Sequence, residues 1–393
     1  MAFPERFSNL PAYAFPRLRA LLDSHPAGGE PIAMSIGEPK HAFPAWIQDI
    51  LVAHMSEFNA YPPNDGSPEL LAAIATWLKK RYAISISADA QIMALNGTRE
   101  GLYNAAMALC PEKIGGKPPV ILIPNPFYQV YAVAAHSVGA APVFVPATVD
   151  GGYLPDYTAM PPEILNRTAI AYLCSPSNPQ GAVASPAYWQ DLIALAEKYD
   201  FKIFADECYS EIYRDAPPVG GLQMAAELGA DPDRVVIFHS LSKRSNLAGL
   251  RSGFVASGPQ SIARIRQLRA YAGAPLPLPL QRAATKVWGD EKHVVENRAL
   301  YAEKFQMADA VFDGISAYHS PEAGFFLWLN VGDGERAALK LWQETGIRVL
   351  PGAYLSRDVD GQNPGKKYIR VALVAPKNEA EQGLIRLRDC LFR

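Results

Sequence analysis

The sequence predicts an α/β protein: a mostly parallel β-sheet between helices, with a smaller α+β unit beside it. Three observations predict it. Short apolar runs without clean polar alternation recur at Val120–Ile123, Val143–Val145, Ile170–Cys174, Phe201–Ala205, Val235–Phe238 and Phe254–Ala256. Segments of helical period separate many of them, at Pro68–Tyr82, Glu100–Leu109, Pro186–Tyr199 and Gln260–Tyr271. The chain has 393 residues and 49% hydrophobic content, enough to bury such a sheet. Strands that alternate with helices and are apolar on both faces belong to a parallel sheet covered on both sides.

Taken in order, Ile32–Ile36 is an early strand and Gln91–Leu95 another, ahead of the runs above. After Tyr271 comes Ala-Gly-Ala-Pro-Leu-Pro-Leu-Pro-Leu, whose alternate prolines forbid both a helix and a central strand and so mark a boundary. Beyond it, 281–311 reads as one or two long helices, followed by a strand at Phe325–Leu329, a helix near 336–345, a strand at Tyr368–Leu373 and a helix near 378–391. The chain therefore divides into a large domain, 46–280, and a small domain formed by both ends, 1–45 and 281–393.

A formal net charge of -2 and the lack of a basic block exclude a general attraction to nucleic acid or acidic membranes. No apolar stretch approaches the roughly 18 residues of a membrane span, and Met1–Phe7 lacks signal-peptide order. The four cysteines are scattered, without a Cys-x-x-Cys pair or a histidine cluster at metal-ligand spacing. A cytoplasmic protein with small-molecule partners and no metal is expected.

In open α/β sheets, ligands sit beyond the carboxyl ends of the strands. Here those ends lead into Asn125-Pro126-Phe127-Tyr128, Ser175-Pro176-Ser177-Asn178-Pro179, Asp206-Glu207-Cys208-Tyr209 and Ser240-Leu241-Ser242-Lys243. Each alone suits a turn, a helix cap or a solvated lysine. Together they suit a pyridine-aldehyde cofactor, which needs a lysine to bond its aldehyde, an anion beside its ring nitrogen, a phosphate cradle and a ring to stack on. Lys243 is the candidate lysine, Asp206 the anion and Arg251 a phosphate anchor. The turn Asn96-Gly97-Thr98-Arg99-Glu100-Gly101 between a strand and a helix can bind phosphate through backbone N–H groups. Its spacing matches neither the dinucleotide nor the nucleoside-triphosphate glycine loop.

Eight ordered motifs, "SIGEP", "YPPNDGSPELLAAIATWL", "NGTREGLYNA", "PNPFYQVY", "SPSNPQG", "FADECYSEIY", "HSLSKRSNLAGLRSGF" and "YIRVAL", give the chain its resemblance, from about Ile32 to Arg388, to fold-type I class I/II aminotransferases. The resemblance implies pyridoxal 5′-phosphate as cofactor, a seven-stranded sheet and a homodimer with shared active sites. It implies Lys243 as the cofactor-bonding lysine, Asp206 as partner of the ring nitrogen, Tyr209 and Asn178 as partners of the ring oxygen, and Tyr128 stacked on the ring. Gly97, Thr98, Arg99, Ser240 and Arg251 would hold the phosphate, and Tyr61 would reach the phosphate of the neighbouring subunit. Arg370 would clamp the substrate α-carboxylate, with Gly37 and Asn178 lining that pocket. Tyrosine at position 128, where typical aspartate aminotransferases carry tryptophan, removes aspartate as a default substrate.

The implied activity is ping-pong transfer of an amino group between amino and keto acids. The stretch Ser242–Arg251 is similar to the lysine segment of N-succinyldiaminopimelate aminotransferases, and Arg244-Ser245-Asn246 departs from the common pattern of the wider family. That favours transfer between glutamate and N-succinyl-2-amino-6-oxopimelate in bacterial lysine biosynthesis; Arg244 is either an extra cation for a substrate of several carboxylates or a surface or interface arginine. An aspartate, alanine or aromatic aminotransferase and a cysteine-S-conjugate β-lyase remain open. The Pro275–Pro279 segment would either border the partner's pocket or link the domains.

Overall fold

The computed structural model describes residues 5–8, 10 and 12–393. Positions 1–4, which belong to the amino-terminal stretch read above, and positions 9 and 11 lie outside the described residues. Seven strands make the central sheet: β1 (Ile92–Leu95), β2 (Val120–Asn125), β3 (Ala141–Pro146), β4 (Thr168–Cys174), β5 (Lys202–Asp206), β6 (Val235–Ser240) and β7 (Gly253–Ala256). Their order is β1-β7-β6-β5-β4-β2-β3, and β7 alone runs antiparallel to its neighbours. This is the mostly parallel, doubly covered sheet the apolar runs predict.

Alternate side chains feed two cores. Val120 and Leu122 join Trp77 and Trp189 on one face, while Ile121 and Ile123 join Tyr131 and Phe204 on the other. Each such aliphatic side chain contributes about 1.5–3 kcal/mol by leaving water. Two covering helices share one set of end signals. In α1 (Pro68–Tyr82), Ser67 caps the Leu70 N–H, proline opens the first turn and Ala83 ends it in the left-handed region. In a later helix (Pro186–Tyr199), Ser185, Pro186 and Asp200 do the same.

Two further elements carry residues of the cavity described below: α2 (Thr98–Leu109) and α3, the single turn Leu241–Arg244. The proline-rich segment departs from expectation, because α4 (Leu278–Gly289) begins inside it. Pro279 falls in the first turn, where an absent N–H has no intrahelical partner to lose. The division drawn at 280/281 therefore cuts a helix whose Val287 and Trp288 lie in the large core, with Trp288 4.9 Å from Trp77 between ring centroids. The next helix, α5 (Lys292–Val311), sends Tyr301 and Phe305 into a separate core with Phe325 and Leu384.

That second core carries a three-stranded antiparallel sheet, in which β10 (Tyr368–Ala372) lies between β8 (Phe326–Asn330) and β9 (Leu350–Pro351). The early strand is shorter than Ile32–Ile36: only Ile32–Ala33 pairs, parallel to Ile347–Arg348. No helix among the described residues is long and apolar enough to cross a membrane.

Candidate active site

The carboxyl ends of β2, β4, β5 and β6 open on a cavity of about 570 Å³, closed from the other side by the loop around Gly37 and by β10. Gly37, Thr98, Arg99, Tyr128, Asn178, Asp206, Tyr209, Ser240, Lys243, Arg251 and Arg370 all line it. Gly97 lies just behind. Tyr61 does not join the cavity of its own chain, and its side chain is fully exposed.

Lys243 projects from α3 and donates from Nζ to the Gly37 carbonyl at 2.5 Å. Burial pushes its amine down to about 8, with Arg370 and Arg251 acting in the same direction against Cys208 and Glu38. Asp206 ends β5 at 5% exposure. Its Oδ2 accepts from the Tyr131 hydroxyl at 2.7 Å and its Oδ1 from the Cys208 N–H at 3.4 Å. Burial raises its pKa, and those same neighbours pull it back down. The partners of this buried carboxylate are thus a phenol, an amide and a thiol, which leaves it suited to a cationic group in the cavity.

Arg370 sits in the middle of β10. Its neighbours Ile369 and Val371 enter the small core, so strand alternation turns Arg370 toward the cavity. It is 5% exposed; Nη1 donates to Asn178 Oδ1 at 3.0 Å, Nη2 donates to the Ser35 carbonyl at 2.8 Å, and Nε has no partner. Its guanidinium lies 4.2 Å above the Phe326 ring centroid. Burial lowers its pKa to about 10. A buried guanidinium with a free donor is a receptor for a carboxylate. Gly37 packs against the Phe326 ring, and a Cβ there would collide with it.

A second anion site lies at the start of α2. Its N-cap, Gly97, offers no side-chain acceptor, so the first-turn N–H groups are left for a ligand. The Arg251 guanidinium lies against Gly97, donating to the carbonyls of Ala248 at 2.9 Å and Asn96 at 3.0 Å. Gly97 has φ +85°, a backbone that favours glycine, and its bare Cα lets the Arg251 guanidinium lie close. Ser240 lines the same cavity; its Oγ accepts from the Ser242 N–H at 3.1 Å and lies 2.9 Å from Ser242 Oγ. Arg99 Nε donates to the Tyr128 hydroxyl at 2.7 Å. The proline-rich segment packs on its own chain here, the Ala274 carbonyl accepting from Asn96 Nδ2.

One expectation is corrected. Arg244 does not reach the cavity; it is 2% exposed, between Trp77 and Trp288, and donates to the Val287 carbonyl at 3.1 Å and to Glu291 Oε1 at 2.6 Å. It clamps α3 to the α4–α5 junction and supplies no charge to a substrate. Sequence reasoning also missed Tyr131. It lies in the apolar helix Val130–Ser137, stacked 4.3 Å from Tyr172, where its spacing reads only as core.

Comparison with known proteins adds the following. The family described as aminotransferase class I and II matches residues 30–385. An LL-diaminopimelate aminotransferase of Dehalococcoides mccartyi is 29% identical over 400 residues, covering 99% of each chain. The 4-dedimethylamino-4-oxo-anhydrotetracycline transaminase OxyQ of Streptomyces rimosus is 31% identical over 93% of this chain and 94% of its own. The crystal structure of an aminotransferase from Neisseria meningitidis is similar with a TM-score of 0.94 at 38% identity, covering 99% of this chain and 100% of that one.

Proposed function

The chain belongs to the class I and II aminotransferases, a family dependent on pyridoxal 5′-phosphate, and from that premise we propose that it moves an amino group between glutamate and a keto acid bearing several carboxylates. The observation that carries this reading is the pairing, in one cavity, of an amine lowered to about 8 with a buried guanidinium whose Nε is free. Bound there, the cofactor would supply an aldehyde for the substrate amine and a protonated ring that draws electron density from the α-carbon.

The residues present fit that group. The α2 amides, Ser240 and Arg251 would hold its phosphate, Asp206 a proton on its ring nitrogen, Asn178 and Tyr209 its ring oxygen, and Tyr128 one face of the ring. Lys243 Nζ, neutral in part near pH 8, would take the substrate α-proton and return it at the other end of the transfer. Arg370 would fix the α-carboxylate so that the α-hydrogen faces that amine. Tyr61, exposed and free of its own cavity, would meet the phosphate in the partner's site of a homodimer. Four unpaired cysteines fit a cytoplasmic enzyme.

For the keto acid, N-succinyl-2-amino-6-oxopimelate remains our reading, supported by the Ser242–Arg251 segment. The unsuccinylated 2-amino-6-oxopimelate, whose transamination product is LL-diaminopimelate, competes with it, favoured by the name of the Dehalococcoides relative. Arg99, exposed at the cavity wall, is the cation placed to meet a second carboxylate. Purified enzyme given 2-oxoglutarate and either N-succinyl-LL-diaminopimelate, LL-diaminopimelate, aspartate or alanine should form glutamate fastest with the succinylated donor. Turnover with aspartate or alanine alone would reject the diaminopimelate reading. Arg99→Ala should lower kcat/KM for dicarboxylic donors roughly 10- to 100-fold relative to alanine, the scale of a hydrogen bond to a charged group.

Tyr131→Phe isolates the support behind Asp206. It removes a hydrogen bond that favours the ionised carboxylate, so the Asp206 pKa rises further and the carboxylate is neutralised at a higher pH as the solution is acidified. The acid limb of kcat should move upward, read from a pH–rate profile. An unchanged limb would show that the phenol only fills space.

A further inference from the structure

A second buried lysine lies behind the first. Lys304, on α5, is 2% exposed. Its Nζ is 2.6 Å from the Ala375 carbonyl, 3.1 Å from the Leu373 carbonyl and 2.8 Å from His41 Nε2. The other ring nitrogen, His41 Nδ1, is 3.0 Å from Asn297 Oδ1, which also accepts from Asn246 Nδ2 at 3.1 Å. Asn297 Nδ2 then donates to the carbonyls of Lys243 and Arg244, each at 3.4 Å. Those two carbonyls end the single-turn helix α3 and have no helical partner of their own.

We propose that Lys304, His41 and Asn297 form a one-directional hydrogen-bond relay that positions Lys243. Two proton arrangements give every contact a donor and an acceptor, and they differ only in whether Lys304 or His41 carries the charge. Two carbonyls and His41 Nε2 surround Lys304 Nζ; the lysine, whose pKa stays above that of His41, keeps the charge, so Nζ donates to all three as an ammonium. His41 Nε2 then accepts, its Nδ1 carries the ring proton, and that proton goes to Asn297 Oδ1. This fixes the amide of Asn297 with its NH2 toward Lys243 and Arg244. Flipping the Asn297 amide would set its oxygen against the carbonyls of Lys243 and Arg244.

The relay reaches Lys243 from two sides. His41 lies four residues beyond Gly37, whose carbonyl accepts from Lys243 Nζ, so one imidazole anchors both the backbone of α3 and the loop that receives its amine. The His41 ring is held in turn 4.6 Å from the Tyr301 ring. Asn246, from the unusual Arg244-Ser245-Asn246 stretch, donates to Asn297 and to the Ala42 carbonyl at 3.3 Å. That stretch thus serves the placement of Lys243. Burial lowers the pKa of Lys304 to about 8 and also lowers that of His41, with the Lys304 charge adding to the latter. A neutral imidazole beside an ammonium agrees with both.

The role assigned to these residues rests on Lys243 being the reactive amine, but the proton arrangement does not. The test uses the enzyme as purified and 1H–15N NMR of its histidine side chains, with the His41 signals identified by their loss in His41→Gln. The expected result is a neutral His41 protonated at Nδ1 at pH 7. A neutral ring protonated at Nε2, or an imidazolium, overturns the relay whatever the enzyme's substrate. Asn297→Asp is the functional arm: it keeps the acceptor for His41 and Asn246 but removes the donors to α3. It should lower kcat roughly ten-fold or more, with KM for the amino donor unchanged and the protein still folded. A wild-type kcat in Asn297→Asp would overturn the positioning role. Because Lys304→Met strips two buried carbonyls of their donor and costs stability, the wild-type NMR measurement stands without it.

Discussion

Replacing Lys243 by alanine is expected to abolish turnover, by about 10⁴-fold or more, since one group serves as both nucleophile and proton carrier. Lys243→Arg should fail as completely. Arginine keeps the positive charge but offers no neutral amine near neutral pH, so its failure separates the chemistry of the amine from its electrostatics. The sign of the pH dependence follows from the depressed pKa. A free lysine amine becomes nucleophilic only as pH approaches about 10.4; the one in this cavity is half neutral near 8. The rate at which cofactor-free protein captures pyridoxal phosphate should therefore rise with pH and level off above about 8. A midpoint near 10 would mean that the amine is solvated and the cavity does not tune it.

What the sequence made legible, and what it hid, follows from how local each signal is. The helices at 68–82 and 186–199 carry their own start and stop residues, and the central strands lack alternation because both faces are covered. The residues at the strand ends were legible because the geometry of a parallel sheet gathers consecutive carboxyl ends on one edge. Adjacency to Lys243 does not place Arg244. In a helical turn successive side chains diverge by about 100°, so a residue next to Lys243 in sequence points away from it in space, here into the Trp77–Trp288 cage. Tyr131 and Lys304 carry no local mark of their roles. One sits in an apolar helix, and the other in a helix whose charges mostly face solvent. Their partners lie far along the chain, Asp206 for the first and His41 for the second. Pro279 was read as excluding a helix because proline's effect depends on where the helix starts, which the composition of the segment does not reveal.

Arg370→Leu should separate recognition from stability. In the free protein this guanidinium is buried with two hydrogen bonds, to Asn178 and Ser35, worth about 1 kcal/mol each. Against them stands a desolvation cost of several kcal/mol for a buried ion, and among the described residues no carboxylate pairs with Arg370. The balance predicts that leucine leaves Tm unchanged or raises it. The same change removes the receptor for the α-carboxylate, so kcat/KM for amino acids should fall roughly 10²- to 10³-fold, the size found when one partner of a buried, hydrogen-bonded charge pair is lost. A primary amine without an α-carboxylate provides the control, since it never used Arg370 and should react equally well in both proteins. The expected signature is thus a collapse of the amino-acid-to-amine preference in a protein at least as stable as the wild type. If stability fell and both substrates lost activity together, Arg370 would be a structural residue, and the α-carboxylate would have to be held elsewhere in the cavity.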